Sequence, residues 1–299
     1  MCEQDRIDGW NGEGRHDWSV NRRQFAALGA AGMVAACTPP DAANGTAAGG
    51  TAAGDLSEAR VTFATADGTM DGFFVHPASG RHPAILTWPD IAGVREAFEM
   101  MARRLAGQGF AVLVVNPYYR DQPAPQFKDF AGFAANQGFQ KVTPWRSKLD
   151  AATIGRDATA AIGWLDGQAA VDTGKGVGTH GYCMGGPFTV WTAAAMPSRV
   201  KAAASWHGGG LVREGEATSP HAMLGQSRAA HIFGIAKDDD AKEPAAKDAL
   251  RKAAEAAGRD ATVEVYPAGH GWMVPDSPSY DKAQAERGWA AMSALFARL

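Results

Sequence analysis

Residues 181–186 read Gly181-Tyr182-Cys183-Met184-Gly185-Gly186, a lone thiol in a G-x-C-x-G pattern directly behind a short apolar run. A glycine two positions before the central residue and another two after it let backbones pass where any side chain would clash. The residue between them can then stand on a strained strand-to-helix turn. This is the nucleophile-elbow pattern, with cysteine where serine is usual. It predicts Cys183 at the carboxyl edge of a sheet, ahead of a helix whose N-terminal dipole favours a thiolate.

Outward from the elbow, the chain alternates strand-like and helix-like segments. Residues 60–65 and 69–76 flank Asp67-Gly68, a hairpin signal. Residues 84–88, 110–115, 176–179, 200–206, 231–236 and 263–266 read as further strands, and 94–106, 149–165, 185–195, 242–257 and 280–299 as helices. The expected fold class is α/β: a mostly parallel, doubly wound sheet flanked by helices, in a single domain over residues 55–299. Residues 121–146, rich in Phe, Gln and Pro, show only weak periodicity and are expected to border the pocket and set specificity.

In such sheets ligands bind beyond the carboxyl ends of the strands, so polar residues in the loops just after strands are the catalytic candidates. Asp90 follows strand 84–88, Asp238-Asp239-Asp240 follow strand 231–236, and His270 stands in Gly269-His270-Gly271 after strand 263–266. The order nucleophile, acid, histidine makes His270 the base. Only one of the three aspartates can be buried against the imidazole. Asp239 is selected, with Asp238 nearer the strand end and Asp240 farther out. His207, in Trp206-His207-Gly208, also follows a strand but precedes the acid. The eight histidines form no H-x-x-x-H pair and the cysteines no C-x-x-C pair, so neither a metal nor a cofactor is expected.

A hydrophobic content of 45% over 299 residues suits a chain that buries a sizeable core. A net charge of −3 without a Lys/Arg cluster argues against a nucleic-acid partner. The first 54 residues differ in composition. Arg22-Arg23 precede an apolar run, residues 25–36, too short to span a bilayer, and Val34-Ala35-Ala36-Cys37 resembles a lipobox. Residues 1–37 are therefore expected to be a twin-arginine signal read by the corresponding export machinery, with Cys37 as the lipidation site. Residues 38–54, rich in Ala, Gly, Thr and Pro, are expected to be a flexible linker. The product is expected in the bacterial periplasm or tethered to the membrane through the lipid alone; a soluble form cleaved near Ala36 is the alternative. With Cys2 and Cys37 assigned to that segment, Cys183 is left as the single thiol of the domain, which rules out an internal disulfide framework.

Gly-Tyr-Cys-Met-Gly-Gly, the later Asp and Gly-His-Gly, and Thr87-Trp88-Pro89-Asp90-Ile91-Ala92-Gly93-Val94 ahead of a helix together resemble the dienelactone hydrolase family of α/β-hydrolases. The resemblance covers about residues 60–299. It implies that Cys183 attacks an ester or lactone carbonyl to give a thioester, that His270 accepts and returns the proton, and that Asp239 orients the imidazole. It also implies an oxyanion hole from the N–H groups of Met184 and Ile91. Trp88, Tyr118, Tyr119 and Trp272 are expected to line an apolar substrate pocket.

Two positions depart from the family pattern. Family members often carry glutamate at the place of Asp90, where the carboxylate contacts the thiol and helps to form the thiolate; aspartate is one methylene shorter. Family members also hold the dienelactone carboxylate with arginines, one of them shortly after the histidine, whereas here His270 is followed by Gly271-Trp272-Met273-Val274. The expected substrate is therefore an ester or lactone other than dienelactone. A class I glutamine amidotransferase also uses a cysteine elbow, but it places its acid two residues after the histidine, where this chain has Trp272. The non-enzymatic alternative is an exported lipoprotein that keeps the fold and binds a small molecule without turnover.

Overall fold

Strands β3 (Ala84–Trp88), β4 (Ala111–Val115) and β5 (Val177–Tyr182) are buried along their whole length, as unbroken apolar runs in a parallel sheet require. They form the centre of the sheet in this computed structural model, which describes residues 55–299. The expected signal 1–37, the lipidation site Cys37 and the linker 38–54 lie outside the described residues.

The sheet has eight strands in the order β1-β2-β4-β3-β5-β6-β7-β8. Its remaining members are β1 (Leu56–Thr65), β2 (Gly68–Pro77), β6 (Val200–Trp206), β7 (Ala230–Ala236) and β8 (Ala261–Tyr266). β1 and β2 form the expected hairpin with Thr65 opposite Gly68, and β2 pairs antiparallel with β4. From β4 to β8 every pairing is parallel. The doubly wound α/β architecture is present.

Alternation along the strands sends successive side chains to opposite faces. Ile85, Val112 and Val114 pack with Phe98, Met101 and Leu105 of α1 (Glu96–Ala106) and with Met292, Leu295 and Phe296 near the chain end. Leu86, Leu113 and Val115 pack on the other face with Ile154, Ile162 and Leu165 and with Phe188 and Trp191.

Residues 121–146 contain two short helices, α2 (Phe130–Ala135) and α3 (Gly138–Arg146). Asp129 caps α2 by accepting the Gly132 N–H at 2.6 Å. Phe127, Phe130 and Phe139 close around the buried Phe133 with ring separations of 5.1, 5.3 and 4.7 Å. Irregular sequence spacing hid this cluster because it is held by rings from two short helices and a loop. Behind it run α4 (Ala151–Asp166) and then α5 (Gly185–Ala195), with the short α6 (Pro220–Met223) after β6.

Among the expected boundaries that shift, two bear on the site. The strand expected over residues 176–179 runs on to Tyr182, carrying the chain directly into the elbow. The helix expected over residues 242–257 is two helices, α7 (Lys237–Lys242) and α8 (Ala246–Ala256). Pro244 separates them: it has no N–H to donate and disfavours helical geometry at Glu243, whose φ and ψ are −127° and 63°. α7 thus begins directly after β7 and presents the three aspartates at the sheet edge. The chain closes with α9 (Lys282–Phe296).

Candidate active site

β5 delivers Cys183 to the carboxyl edge of the sheet, where its N–H donates to the Trp206 carbonyl at 3.0 Å. Its φ is 51°, the left-handed region that costs a non-glycine residue strain. The flanking glycines are sterically demanded. A Cβ on Gly181 would lie 2.0 Å from the Gly185 carbonyl oxygen, and one on Gly185 would lie 2.5 Å from the Trp88 carbonyl oxygen. The elbow is thereby wedged against the end of β3, with α5 starting two residues later. The thiol remains partly exposed.

His270 comes from the loop after β8, and its Nδ1 lies 2.6 Å from Asp239 Oδ2. Asp238 takes a different part of the same residue: its Oδ1 accepts the His270 backbone N–H at 2.9 Å. Asp240 turns away to Lys247 at 2.6 Å. Consecutive carboxylates on the first turn of α7 therefore hold the histidine loop by its ring and by its backbone. Burial pulls the His270 pKa down, but the Cys183 charge and the Asp239 carboxylate that accepts from Nδ1 outweigh it, and the pKa is raised well above 6.5. A thiol beside such a ring can transfer its proton to it and leave a thiolate–imidazolium pair.

Neither the Met184 nor the Ile91 N–H has an acceptor among the described residues. Tyr118 ties these two residues together. Its hydroxyl lies 2.9 Å from the Ile91 carbonyl oxygen and 3.1 Å from Met184 Sδ. Its ring meets Trp145 of α3 edge-on at 5.5 Å, so the segment over residues 130–146 reaches the site through Tyr118. Burial, followed by the Asp90 charge, raises the Tyr118 pKa well above 10 and keeps the hydroxyl a neutral donor.

The four aromatic residues expected to line the pocket stand in different surroundings. Trp88 is fully buried, donates to Thr192 Oγ1 at 3.0 Å and packs against Phe188. Trp272 is likewise buried, stacked on Tyr266 at 4.9 Å. Tyr119 points to Asp157 and Thr65, with its hydroxyl 2.9 and 2.8 Å from them. Trp88 and Trp272 belong to the core and Tyr119 is half-buried against it, whereas the Tyr118 hydroxyl reaches Ile91 and Met184. His207 packs edge-on to His270 at 5.0 Å and has a φ of 40°. Burial pushes its pKa well below 6.5, with His270 adding to the effect, so it stands as a neutral ring beside His270.

Asp90, in the loop after β3, accepts from both Nη atoms of Arg95, at 2.7 and 2.8 Å, and from the Ala92 N–H at 2.9 Å. Sequence reasoning missed Arg95 and its second partner, Asp276. An arginine five residues after Asp90, at the head of an amphipathic helix, was the available signal.

The dienelactone hydrolase family model matches residues 70–299. Two proteins named "Putative carboxymethylenebutenolidase" are similar over most of their length. The one from Methylorubrum extorquens is 30% identical over 93% of this chain and 93% of its own. The one from Yersinia pestis is 31% identical over 72% of this chain and 77% of its own. Among solved structures, a dienelactone hydrolase-like promiscuous phosphotriesterase from metagenomic libraries aligns with a TM-score of 0.64 and 25% identity, covering 82% of this chain and 99% of that one. With the elbow, the sheet order and the family match in agreement, the chain belongs to the dienelactone hydrolase family and is an α/β-fold hydrolase acting on esters or lactones.

Proposed function

We propose that this protein cleaves a carboxylic ester or lactone through Cys183, His270 and Asp239, by way of a thioester acyl-enzyme. The observation that carries the reading is His270 itself, whose Nδ1 lies 2.6 Å from Asp239 Oδ2 and whose ring interacts with the Cys183 charge. The Cys183 thiolate attacks the carbonyl carbon, and the oxyanion is met by the N–H groups of Met184 and Ile91, each of which contributes roughly 3 kcal/mol by analogy with other oxyanion donors. His270 hands its proton to the leaving alkoxide. It then removes a proton from water, which attacks the thioester and releases the acid and the thiol.

The substrate is an uncharged ester or lactone rather than dienelactone. The residues after His270 supply no cation, and Trp272, Met273 and Val274 are buried apolar side chains. A carboxylate placed there would be desolvated without a partner. Arg146, whose charge reaches Tyr118, is exposed on α3 and screened by solvent.

The test is a panel of p-nitrophenyl esters, lactones and dienelactone, run on wild type beside Cys183→Ala. The expected result is ester hydrolysis by wild type with a stoichiometric burst, and loss of both in the variant. Retained activity in Cys183→Ala overturns the thiol mechanism, and faster turnover of dienelactone than of simple esters overturns the substrate reading. Residues 1–37 support a further proposal, export by the twin-arginine route with lipid attached at Cys37. Radiolabelled palmitate should label the full-length chain and not a Cys37→Ala variant; an unlabelled wild-type chain would sink the lipid anchor.

A further inference from the structure

Arg95 occupies an unusual position for a charged residue, with a side chain showing 0% exposure. Guanidinium has five N–H donors, and all five are used. Nη1 donates to Asp90 Oδ1 at 2.7 Å and to the Gly93 carbonyl at 3.1 Å. Nη2 donates to Asp90 Oδ2 and to Asp276 Oδ1, both at 2.8 Å, and Nε donates to Asp276 Oδ2 at 2.7 Å. The same Asp276 oxygen accepts the Phe130 N–H at 2.9 Å, and the guanidinium lies over the rings of Phe98 and Phe130 at 4.9 and 5.7 Å.

These bonds join three segments distant in sequence. Asp90 and Gly93 bracket Ile91 in the loop after β3. Asp276 belongs to the loop that runs on from His270. Phe130 is the first residue of α2, in the segment whose Trp145 reaches Tyr118. One buried cation therefore holds the oxyanion loop, the histidine loop and the aromatic segment in a common frame.

Asp90 is committed to this frame. Three of its roughly four acceptor sites are filled by Arg95 and the Ala92 N–H. Swinging its carboxylate to the thiol would leave a fully buried guanidinium half unpaired, the arrangement that breaking a buried ion pair makes most costly. Its charge is also offset at contact distance by Arg95.

On the thiol-hydrolase reading above, we infer that Arg95 is a positioning residue which, through Asp90, sets the Ile91 N–H of the oxyanion hole, and that Asp90 serves as its anchor rather than as the group that ionises Cys183. The distinction separates two observables. An anchor acts on the transition state, so its loss lowers kcat with little change in KM. A carboxylate acting on the thiol alters the pH at which the thiol becomes reactive, with or without an ester present.

The experiment compares wild type, Asp90→Asn, Arg95→Lys and Arg95→Met in two assays. The first is steady-state hydrolysis of p-nitrophenyl acetate. The second is the pH dependence of Cys183 alkylation by iodoacetamide, on protein shown by near-ultraviolet circular dichroism to be folded. The expected result is that kcat falls about 10- to 100-fold in Asp90→Asn, as misplacement by about an ångström does. Arg95→Lys is expected to fall similarly, because three donors on a point charge cannot replace a five-donor plane. The alkylation midpoint stays within about 0.3 pH units of wild type in both, the proposal placing neither group on the thiol. A shift of a full unit or more in Asp90→Asn, or full kcat in Arg95→Lys, overturns the inference. Asp90→Asn retains Asp276 as a partner for Arg95, so the test stands even where Arg95→Met fails to fold. Loss of the thiol-hydrolase reading would show separately, as activity surviving in Cys183→Ala.

Discussion

At the residue scale, adjacent aspartates divide the work. Asp239 accepts from the imidazole and Asp238 from the backbone of the same histidine, at 2.6 and 2.9 Å. Asp239→Asn turns the ring partner into a group that stabilises the wrong tautomer and cannot support an imidazolium. A loss of about 10⁴-fold in kcat is expected, the scale seen when a triad aspartate is amidated. Asp238→Asn keeps a carbonyl oxygen for the His270 N–H and is expected to lose far less. Parallel kcat measurements on one ester decide it, and equal losses in the two variants would remove the assignment of Asp239 as the orienting acid. The choice of Asp239 among three neighbours rested on its distance from the strand end. The backbone role of Asp238 had no sequence signal, because a hydrogen bond to a main-chain N–H depends on how the α7 turn meets the histidine loop.

Elements were legible where one physical cause dominated. β3, α5 and β6 run over 84–88, 185–195 and 200–206, as their apolar patterning predicts. The elbow was legible for a steric reason that the structure makes explicit: Gly181 and Gly185 stand where a Cβ would meet main-chain oxygens at 2.0 and 2.5 Å. Elements were hidden where several weak causes combined. α2 and α3 are short and bury only one large side chain each, Phe133 and Val142, so no period exists to be read. The break between α7 and α8 follows from Pro244, a local signal that the apolar spacing of residues 242–257 overrode in the reading. Aromatic residues misled in the opposite direction: Trp88 and Trp272 neighbour catalytic loops in sequence yet fill the core, and chain proximity does not determine which side of the sheet edge a ring occupies.

For the whole molecule, buried histidines tie stability to pH. His180 is buried on β5, with its nitrogens 2.7 Å from Thr87 Oγ1 and 2.8 Å from the Tyr182 hydroxyl, and burial lowers its pKa to about 3. Burial lowers that of His231 to about 4. Both pKa values are depressed below the unfolded value near 6.5, so the unfolded chain binds protons that the native state refuses. Stability is therefore fully present above about pH 6.5 and declines as pH falls toward 4, by up to roughly 1.4 kcal/mol per pH unit for each histidine. The raised pKa of His270 acts at the other end: its contribution is complete below about 6.5 and is lost as pH rises through its native value. Urea unfolding at pH 6.5 and pH 5.0 checks this, with a lower midpoint expected at pH 5.0, above the range in which ordinary carboxylates titrate. An unchanged midpoint would mean that these histidines accept protons in the folded state.

The sequence by itself determined the sheet class and the elbow and pointed to Cys183, His270 and Asp239 as candidates, because each follows from local causes: glycine sterics, apolar runs and polar residues placed just after strands. Tertiary structure alone decided the rest. It brought Tyr118 against Ile91 and Met184, buried Trp88 and Trp272 in the core, and gathered Asp90, Asp276 and Phe130 around the buried Arg95 from positions up to 186 residues apart. A buried charge is stable only where its partners converge, and convergence is a property of the folded chain that no window of sequence contains.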